Sequence, residues 1–206
     1  MAASTIITLL GVSSETVPPT CKSIECPIHD VIEVGDAYEI RRYNNSTLWI
    51  STFPIQHISL VQAKRTDFMR LFDYIQGKNN YKQKIEMTAP VITEVLPSDG
   101  PFCESSFVVS FYVPKENQAN RPPAKGLHVQ RWNNFVGYVT DSNVGVEAAS
   151  LRASIAGTDW SGAIEKGQRA GHASVYTVAQ YNAPFEYDNR VNEIWFLFDI
   201  ESERHA

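Results

Sequence analysis

The stretch from residue 58 to residue 92 restricts the possible folds of this chain more than any other part of it. It reads ISLVQAKRTDFMRLFDYIQGKNNYKQKIEMTAPVI. Ser59 followed three residues later by Gln62 is a capping box, which favours the start of a helix. Gly77 suits the left-handed residue that commonly ends a helix. We therefore predict a helix over residues 59–76.

The apolar residues of this predicted helix recur at steps of three and four, so they form a stripe wide enough to pack on a sheet. Val61, Met69 and Phe72 lie along one side of the stripe, and Phe68 lies beside them. Arg65 shares their side and puts a fixed positive charge at the edge of a Met and Phe surface. The plain interpretation is that the aromatic residues are core and that Arg65 is a solvated residue at its rim.

The chain repeats one order of elements from residue 38 onward. Alternating apolar and polar residues predict strands, and asparagine-rich turns predict that the first and the third pair of strands are hairpins. The predicted strands are 38–43, 48–53, 84–95 with a break at Pro90, 106–113, 127–132, 135–139, 173–181 and 193–198. Further helices are expected at 144–155 and 160–166. The order predicts an α+β fold of duplicated ββαββ units, which form an antiparallel, barrel-like sheet with flanking helices.

Length and charge restrict the domain count and the class of partner. A chain of 206 residues with 43% hydrophobic composition suits one domain. We assign residues 1–33 to an N-terminal arm and residues 34–202 to a single domain of two pseudo-repeats, about 36–113 and 127–199. The net charge of −5 and the lack of a basic stripe argue against nucleic acid as a partner. No apolar run reaches about 18 residues, so no transmembrane segment is predicted, and the oligomeric state stays open.

The N-terminus and the cysteines leave the compartment open. The sequence MAASTIITLLGVSS has a short apolar run with no Lys or Arg before it. Two interpretations stay open: a tail of a cytoplasmic protein and a secretory targeting segment. Cys21 and Cys26 are too few for a zinc site without further ligands, and their plain interpretation is a structural role with one disulfide. On a secretory route, we expect Cys103 to pair with Cys21 or Cys26.

Several separated motifs resemble one family. In chain order they are YEIRRY, a helix that ends in FDYIQGKN, then KIEMTAPVI, SFYVP and NEIWF. This set resembles the SOUL/haem-binding protein family over roughly residues 21–200. Three further motifs, CKSIECP, SDGPFC and YTVAQYNAPF, resemble the plant branch of that family.

The resemblance implies a duplicated α+β barrel that binds haem or another tetrapyrrole non-covalently, as a carrier or buffer of a small apolar molecule. It places the pocket between the first long helix and a loop near the C-terminal strands. Carried over by motif, the opposing side is some part of residues 172–185. His172 lies in this loop, and we include it among the binding residues, although its plain interpretation is a surface histidine. The helix side comprises Val61, Arg65, Phe68, Met69 and Phe72.

The chain departs from the family pattern at three positions. Arg42 stands where a histidine has been proposed as the iron ligand of a relative, which excludes that ligand here. Asp73 stands near a basic residue on the pocket helix of some relatives, and the hairpin after Trp132 is shortened. The alternative function is therefore an enzyme acting on an apolar small metabolite, although no GxSxG, Walker loop or HExxH motif occurs. A protein-interaction module is a third hypothesis.

Overall fold

The computed structural model describes residues 18–43, 47–57, 60–97, 105–131, 134–140, 144–169, 174–183 and 191–198. These ranges hold ten strands and three α-helices. The strands are β1 (His29–Val34), β2 (Glu39–Tyr43), β3 (Leu48–Thr52), β4 (Ile55–His57), β5 (Val91–Val95), β6 (Ser105–Tyr112), β7 (Leu127–Arg131), β8 (Asn134–Thr140), β9 (Tyr176–Gln180) and β10 (Asn192–Phe198). The helices are α1 (Leu60–Ile75), α2 (Val144–Ser154) and α3 (Asp159–Arg169).

The predicted helices are confirmed, the first two with small shifts at their ends. Helix α1 ends where the sequence indicated, because Gly77 has a φ of 97°, which is the left-handed conformation that glycine adopts without a steric penalty. Helix α3 is longer than its predicted 160–166. No described helix is long and apolar enough to cross a membrane.

The strands form one antiparallel sheet in the order β1-β2-β8-β10-β9-β5-β6-β3-β7, and β4 pairs with β6. The fold is therefore α+β with a large antiparallel sheet, as predicted. The predicted closure into a barrel is wrong, because the two ends of this strand order are not paired within the described ranges. Strand β1 pairs with the edge of β2 that would have to pair with another strand to close a barrel.

The open sheet is nevertheless strongly curled. The rings of Tyr43 in β2 and Trp49 in β3 lie 6.1 Å apart, although these strands stand six places apart in the strand order. Trp49 also lies 6.4 Å from Trp195 of β10. The concave face of the sheet thus encloses an aromatic interior, and the convex face carries the helices.

Both predicted hairpins are wrong in their pairing. Strand β2 pairs with β8 instead of β3, and β3 pairs with β6 and β7. Strand β7 likewise pairs with β3 and not with its neighbour β8. Alternation assigns each residue to a face of the sheet, but it does not say which strand lies alongside.

The predicted strand over 84–95 is confirmed only for its second part, which is β5. Ile85 and Ala89 are buried as their alternation indicated, but their backbone amides bond outside any ladder. The amide of Ile85 donates to the carbonyl of Ile75, and the amide of Ala89 donates to the carbonyl of Glu25. Pro90 follows a cis peptide bond, and the ladder begins only after it.

Helices cover two parts of the convex face. Helix α1 packs on β3 and β6, and its core partners include Leu48, Ile50 and Phe111. Helices α2 and α3 pack on β8 and β10, with Leu151 and Ile164 among their buried residues. Strand β3 is buried at every position, because α1 covers one face and the curled sheet encloses the other.

The N-terminal segment before β1 closes one end of the interior. Cys21, Ile24 and Cys26 pack against the cluster that contains Trp49 and Trp195. Cys21 and Cys26 form a disulfide with a Cα–Cα distance of 5.5 Å. This disulfide confirms the plain interpretation of the two cysteines as a structural pair. The pairing of one of them with Cys103, which was expected on a secretory route, is wrong, because both possible partners are already joined to each other. Cys103 lies outside the described residues.

A buried ion pair stabilises the interior between β2 and β10. Arg41 donates two hydrogen bonds of 3.0 Å to the carboxylate of Glu193. The same carboxylate accepts from the Tyr181 hydroxyl at 3.0 Å and from the Trp195 indole nitrogen at 2.7 Å. Four hydrogen bonds compensate for the removal of this charge from water. Gly137 of β8 pairs with both Glu39 and Trp195 in the ladders.

Candidate functional site

The orientation of α1 decides which of its side chains can meet a ligand. Asp67, Leu71, Tyr74 and Ile75 are buried against the sheet. These positions lie at steps of three and four, so they form the inward face of the helix. The residues that the sequence predicted to contact a ligand lie beside this inward face on the helix surface.

The structure brings Arg65, Phe68, Met69 and Phe72 together along one edge of α1. The rings of Phe68 and Phe72 are stacked at 6.0 Å, and Phe68 meets Phe111 of β6 edge-on at 5.4 Å. Both phenylalanines are half-buried. Met69 is 49% exposed, and Arg65 is exposed. We call these four residues the α1 face. It presents apolar surface with a guanidinium beside it.

For two predicted site residues, the structure does not describe the side chain. Val61 lies in α1, one turn before Arg65, but only its backbone is described. His172 lies outside the described residues. The contact between the helix and the loop that carries His172 therefore stays a prediction.

The charges around the α1 face favour an anion at Arg65. None of the ion pairs within the described ranges includes Arg65, whereas Arg70 lies 3.8 Å from the carboxylate of Asp67. Asp73 forms an ion pair of 2.9 Å with Lys78, which offsets the negative charge that departs from the family pattern. Arg42 is exposed and pairs with Asp30 at 3.3 Å, so this position belongs to the surface of β2.

The sequence reasoning missed Asp67, which is the most unusual group on α1. It is fully buried, and neither carboxylate oxygen makes a hydrogen bond of ordinary geometry to a residue that the structure describes. Burial raises the pKa of Asp67 to about 6, and Arg70 and the Thr52 hydroxyl lower it in part. A carboxylate four positions before Leu71, on the apolar side of the helix, was the available signal.

The comparisons with known proteins identify the family. A family model described as "SOUL heme-binding protein" matches residues 24–197. The chain belongs to the SOUL heme-binding protein family. The motifs from YEIRRY to NEIWF lie inside this match, so the resemblance drawn from them is confirmed at the level of the family.

Curated members of the SOUL family include animal relatives of this chain. Human "Heme-binding protein 2" is 34% identical over 169 residues, covering 78% of each chain. "Heme-binding protein 2" of Mus musculus is 32% identical, and "Heme-binding protein 1" of Xenopus laevis is 27% identical. The mouse match covers 82% of this chain and 81% of the relative, and the frog match covers 79% and 84%.

A solved structure, that of a hydrolase from Listeria innocua, gives a weaker likeness. The match covers 81% of this chain and 94% of the Listeria innocua chain, with a TM-score of 0.46 and 6% sequence identity. This likeness supports no shared activity.

The α1 face fits the needs of a tetrapyrrole. A porphyrin requires flat apolar surface and benefits from a cation near its propionates. The stacked phenylalanines with Met69 provide the first, and Arg65 provides the second. The described ranges hold no cluster of three or more His, Cys, Asp or Glu side chains arranged to hold a metal ion.

Proposed function

We propose that this SOUL family member binds haem or another tetrapyrrole non-covalently and reversibly, as a carrier or buffer. The proposed site is the α1 face, extended by Val61 on the helix and by His172 on the opposing loop. The observation that supports it is the exposure of Met69 and Arg65 beside the stacked pair of Phe68 and Phe72. The names of the curated relatives support the same ligand class.

Burial of apolar ligand surface is the main source of affinity in this proposal. Roughly 200 Å² of buried apolar surface contributes about 5 kcal/mol. Association entropy offsets much of that gain, so binding is expected near micromolar. An exposed Arg65–propionate pair adds about 1 kcal/mol or less, because water screens it.

The proposal includes no essential histidine ligand. Arg42 replaces the histidine proposed for one relative, and its guanidinium pairs with Asp30. Haem held by apolar contact and a propionate pair exchanges readily, as a carrier or buffer requires. Iron-free protoporphyrin should then bind nearly as well as hemin.

A titration with hemin and with iron-free protoporphyrin, followed by absorbance, tests this proposal. Arg65→Ala should weaken binding by less than about tenfold. Arg70→Ala is the matched control, since Arg70 lies on the same helix about 140° away around its axis. The control should leave the affinity unchanged. Failure of the wild-type chain to bind either porphyrin would overturn the proposal.

We also propose that residues 34–202 form one domain made of two duplicated ββαββ units. The strand order supports this proposal, because the eight strands from β2 to β7 show the same pattern when read from either end, with first-half and second-half strands exchanged. The second strand of each half pairs with the first strand of the other half, so that β8 pairs with β2 and β3 pairs with β7. Strands β5 and β9 pair at the centre of the order.

Membership of the plant branch is a further proposal. It rests on the motifs CKSIECP, SDGPFC and YTVAQYNAPF. The curated relatives named above are animal proteins, and their names point to haem binding and not to a reaction. The enzyme hypothesis is therefore not favoured.

A further inference from the structure

Polar side chains collect on the concave face of the sheet, at the end opposite the disulfide. Glu94 of β5 lies directly opposite Thr177 of β9 in the ladder. Ser51 of β3 lies opposite Ser110 of β6 on one side and His128 of β7 on the other. Alternation places all five on the face that carries Trp49 and Ile92 in the same strands.

Three polar atoms of this end make no hydrogen bond to any residue that the structure describes. They are Oε1 of Glu94, Oγ1 of Thr177 and Nδ1 of His128. Glu94 is only 8% exposed and Thr177 is 0% exposed. Burying such groups without partners costs free energy, so native proteins pair nearly all of them with protein, water or a ligand.

A chain of hydrogen bonds leads toward the Glu94 carboxyl group. The hydroxyls of Ser110 and Ser51 lie 2.7 Å apart, and Ser51 donates to Oε1 of Gln130 at 2.8 Å. The Gln130 side chain then hydrogen-bonds Glu94 and partly offsets the effect of burial, which raises the pKa of Glu94 to about 7. Among the described residues, none donates a hydrogen bond to Oε1 of Glu94.

An aromatic pair marks the outer limit of this end. The rings of Phe53 and His128 lie 4.9 Å apart, tilted by 30°. Phe53 is 54% exposed, whereas His128 is half-buried. Burial lowers the pKa of His128, so its imidazole is neutral near pH 8 and supplies no cation to Glu94. The arrangement combines a flat apolar surface outside with an unpartnered acceptor inside.

We propose that this end of the interior, the Glu94 site, binds a small molecule with an aromatic body and a protonated amine head. The ammonium group would donate to Oε1 of Glu94 and to Oγ1 of Thr177, and the aromatic body would stack on Phe53 and His128. An ammonium has three donors and no acceptor, which matches acceptors that lack partners.

The Glu94 site is separate from the α1 face. Ser51 and Ser110 point into the interior, whereas their neighbours Ile50 and Phe111 belong to the cluster under α1. A ligand at one site is therefore on the opposite side of the sheet from a ligand at the other. The inference does not rest on the proposed tetrapyrrole function.

Titration of the full chain with 2-phenylethylamine at pH 8, followed by calorimetry and by backbone amide NMR shifts, tests the inference. An alkylammonium keeps its proton at this pH, since its pKa lies near that of lysine. Saturable binding should shift the amides of β5 and β9. The neutral 2-phenylethanol and the anionic 3-phenylpropionate should bind at least about tenfold more weakly, because neither places a cation at Glu94.

Two variants and one control complete the experiment. Glu94→Gln should weaken amine binding about tenfold or more and leave hemin binding unchanged. Thr177→Val should also weaken it, and this variant serves if Glu94→Gln does not fold. Asp67→Asn is the matched control, since Asp67 is also a buried carboxylate with no hydrogen bond of ordinary geometry to a described residue, but it lies under α1. No amine binding, equal binding of the alcohol, or unchanged binding by both site variants would overturn the inference and leave only water at Glu94.

Discussion

Replacing Asp67 by asparagine should stabilise the fold at pH 8 and have almost no effect near pH 4. The pKa of Asp67 is raised by burial from 3.8 to about 6 in the folded chain. A raised folded pKa means that stability is fully present below the unfolded pKa and is lost as the pH rises through about 6. The difference of about 2 between the pKa values corresponds to about 3 kcal/mol. The asparagine side chain carries no charge at any of these pH values, so the variant would avoid this loss.

Urea denaturation of the wild type and Asp67→Asn at several pH values from 4 to 8 measures the effect. The free energy of unfolding of the variant should exceed that of the wild type by about 3 kcal/mol at pH 8. The difference should stay near this value down to about pH 6 and then shrink toward zero as the pH falls to 4. A difference that does not depend on pH, or a variant less stable than the wild type at pH 8, would refute the reasoning.

Two further predictions concern the buried ion pair and the histidines. Arg41→Met should destabilise the fold by about 3–5 kcal/mol in urea denaturation, because it leaves the buried carboxylate of Glu193 without its cation. Arg42→Met, which breaks only the exposed pair with Asp30, should cost about 1 kcal/mol or less. Equal effects of the two variants would contradict this account of the interior. His57→Ala and His172→Ala should each leave the Soret band of the hemin complex unchanged, and a lost Soret shift in either would reveal an axial ligand.

Local signals predicted the helices and most strands of this chain. The capping box and Gly77 located α1 to within a residue or two, because both act through backbone groups close in sequence. The strand partners could not be predicted in this way. Tyr43 and Trp49 meet inside the curled sheet although β2 and β3 do not pair, and this depends on contacts between distant parts of the chain.

The candidate site was predictable where it follows helical spacing. Arg65, Phe68, Met69 and Phe72 share an edge of α1 because steps of three and four share a face of any helix. The Glu94 site was not predictable from the sequence. Glu94 reads as an ordinary polar position in an alternating strand, and only the curl of the sheet makes its face an interior.

The central claim is that the exposed edge of α1 binds a tetrapyrrole, and a hemin titration of Met69→Asp tests it most directly. Met69 is 49% exposed, so the substitution should leave the fold intact while placing a charge against the bound porphyrin. Val146→Asp on α2 is the matched control, since Val146 is also an exposed apolar residue on a helix. The account predicts at least about tenfold weaker hemin binding for Met69→Asp and wild-type binding for the control. Wild-type binding by both variants would contradict it.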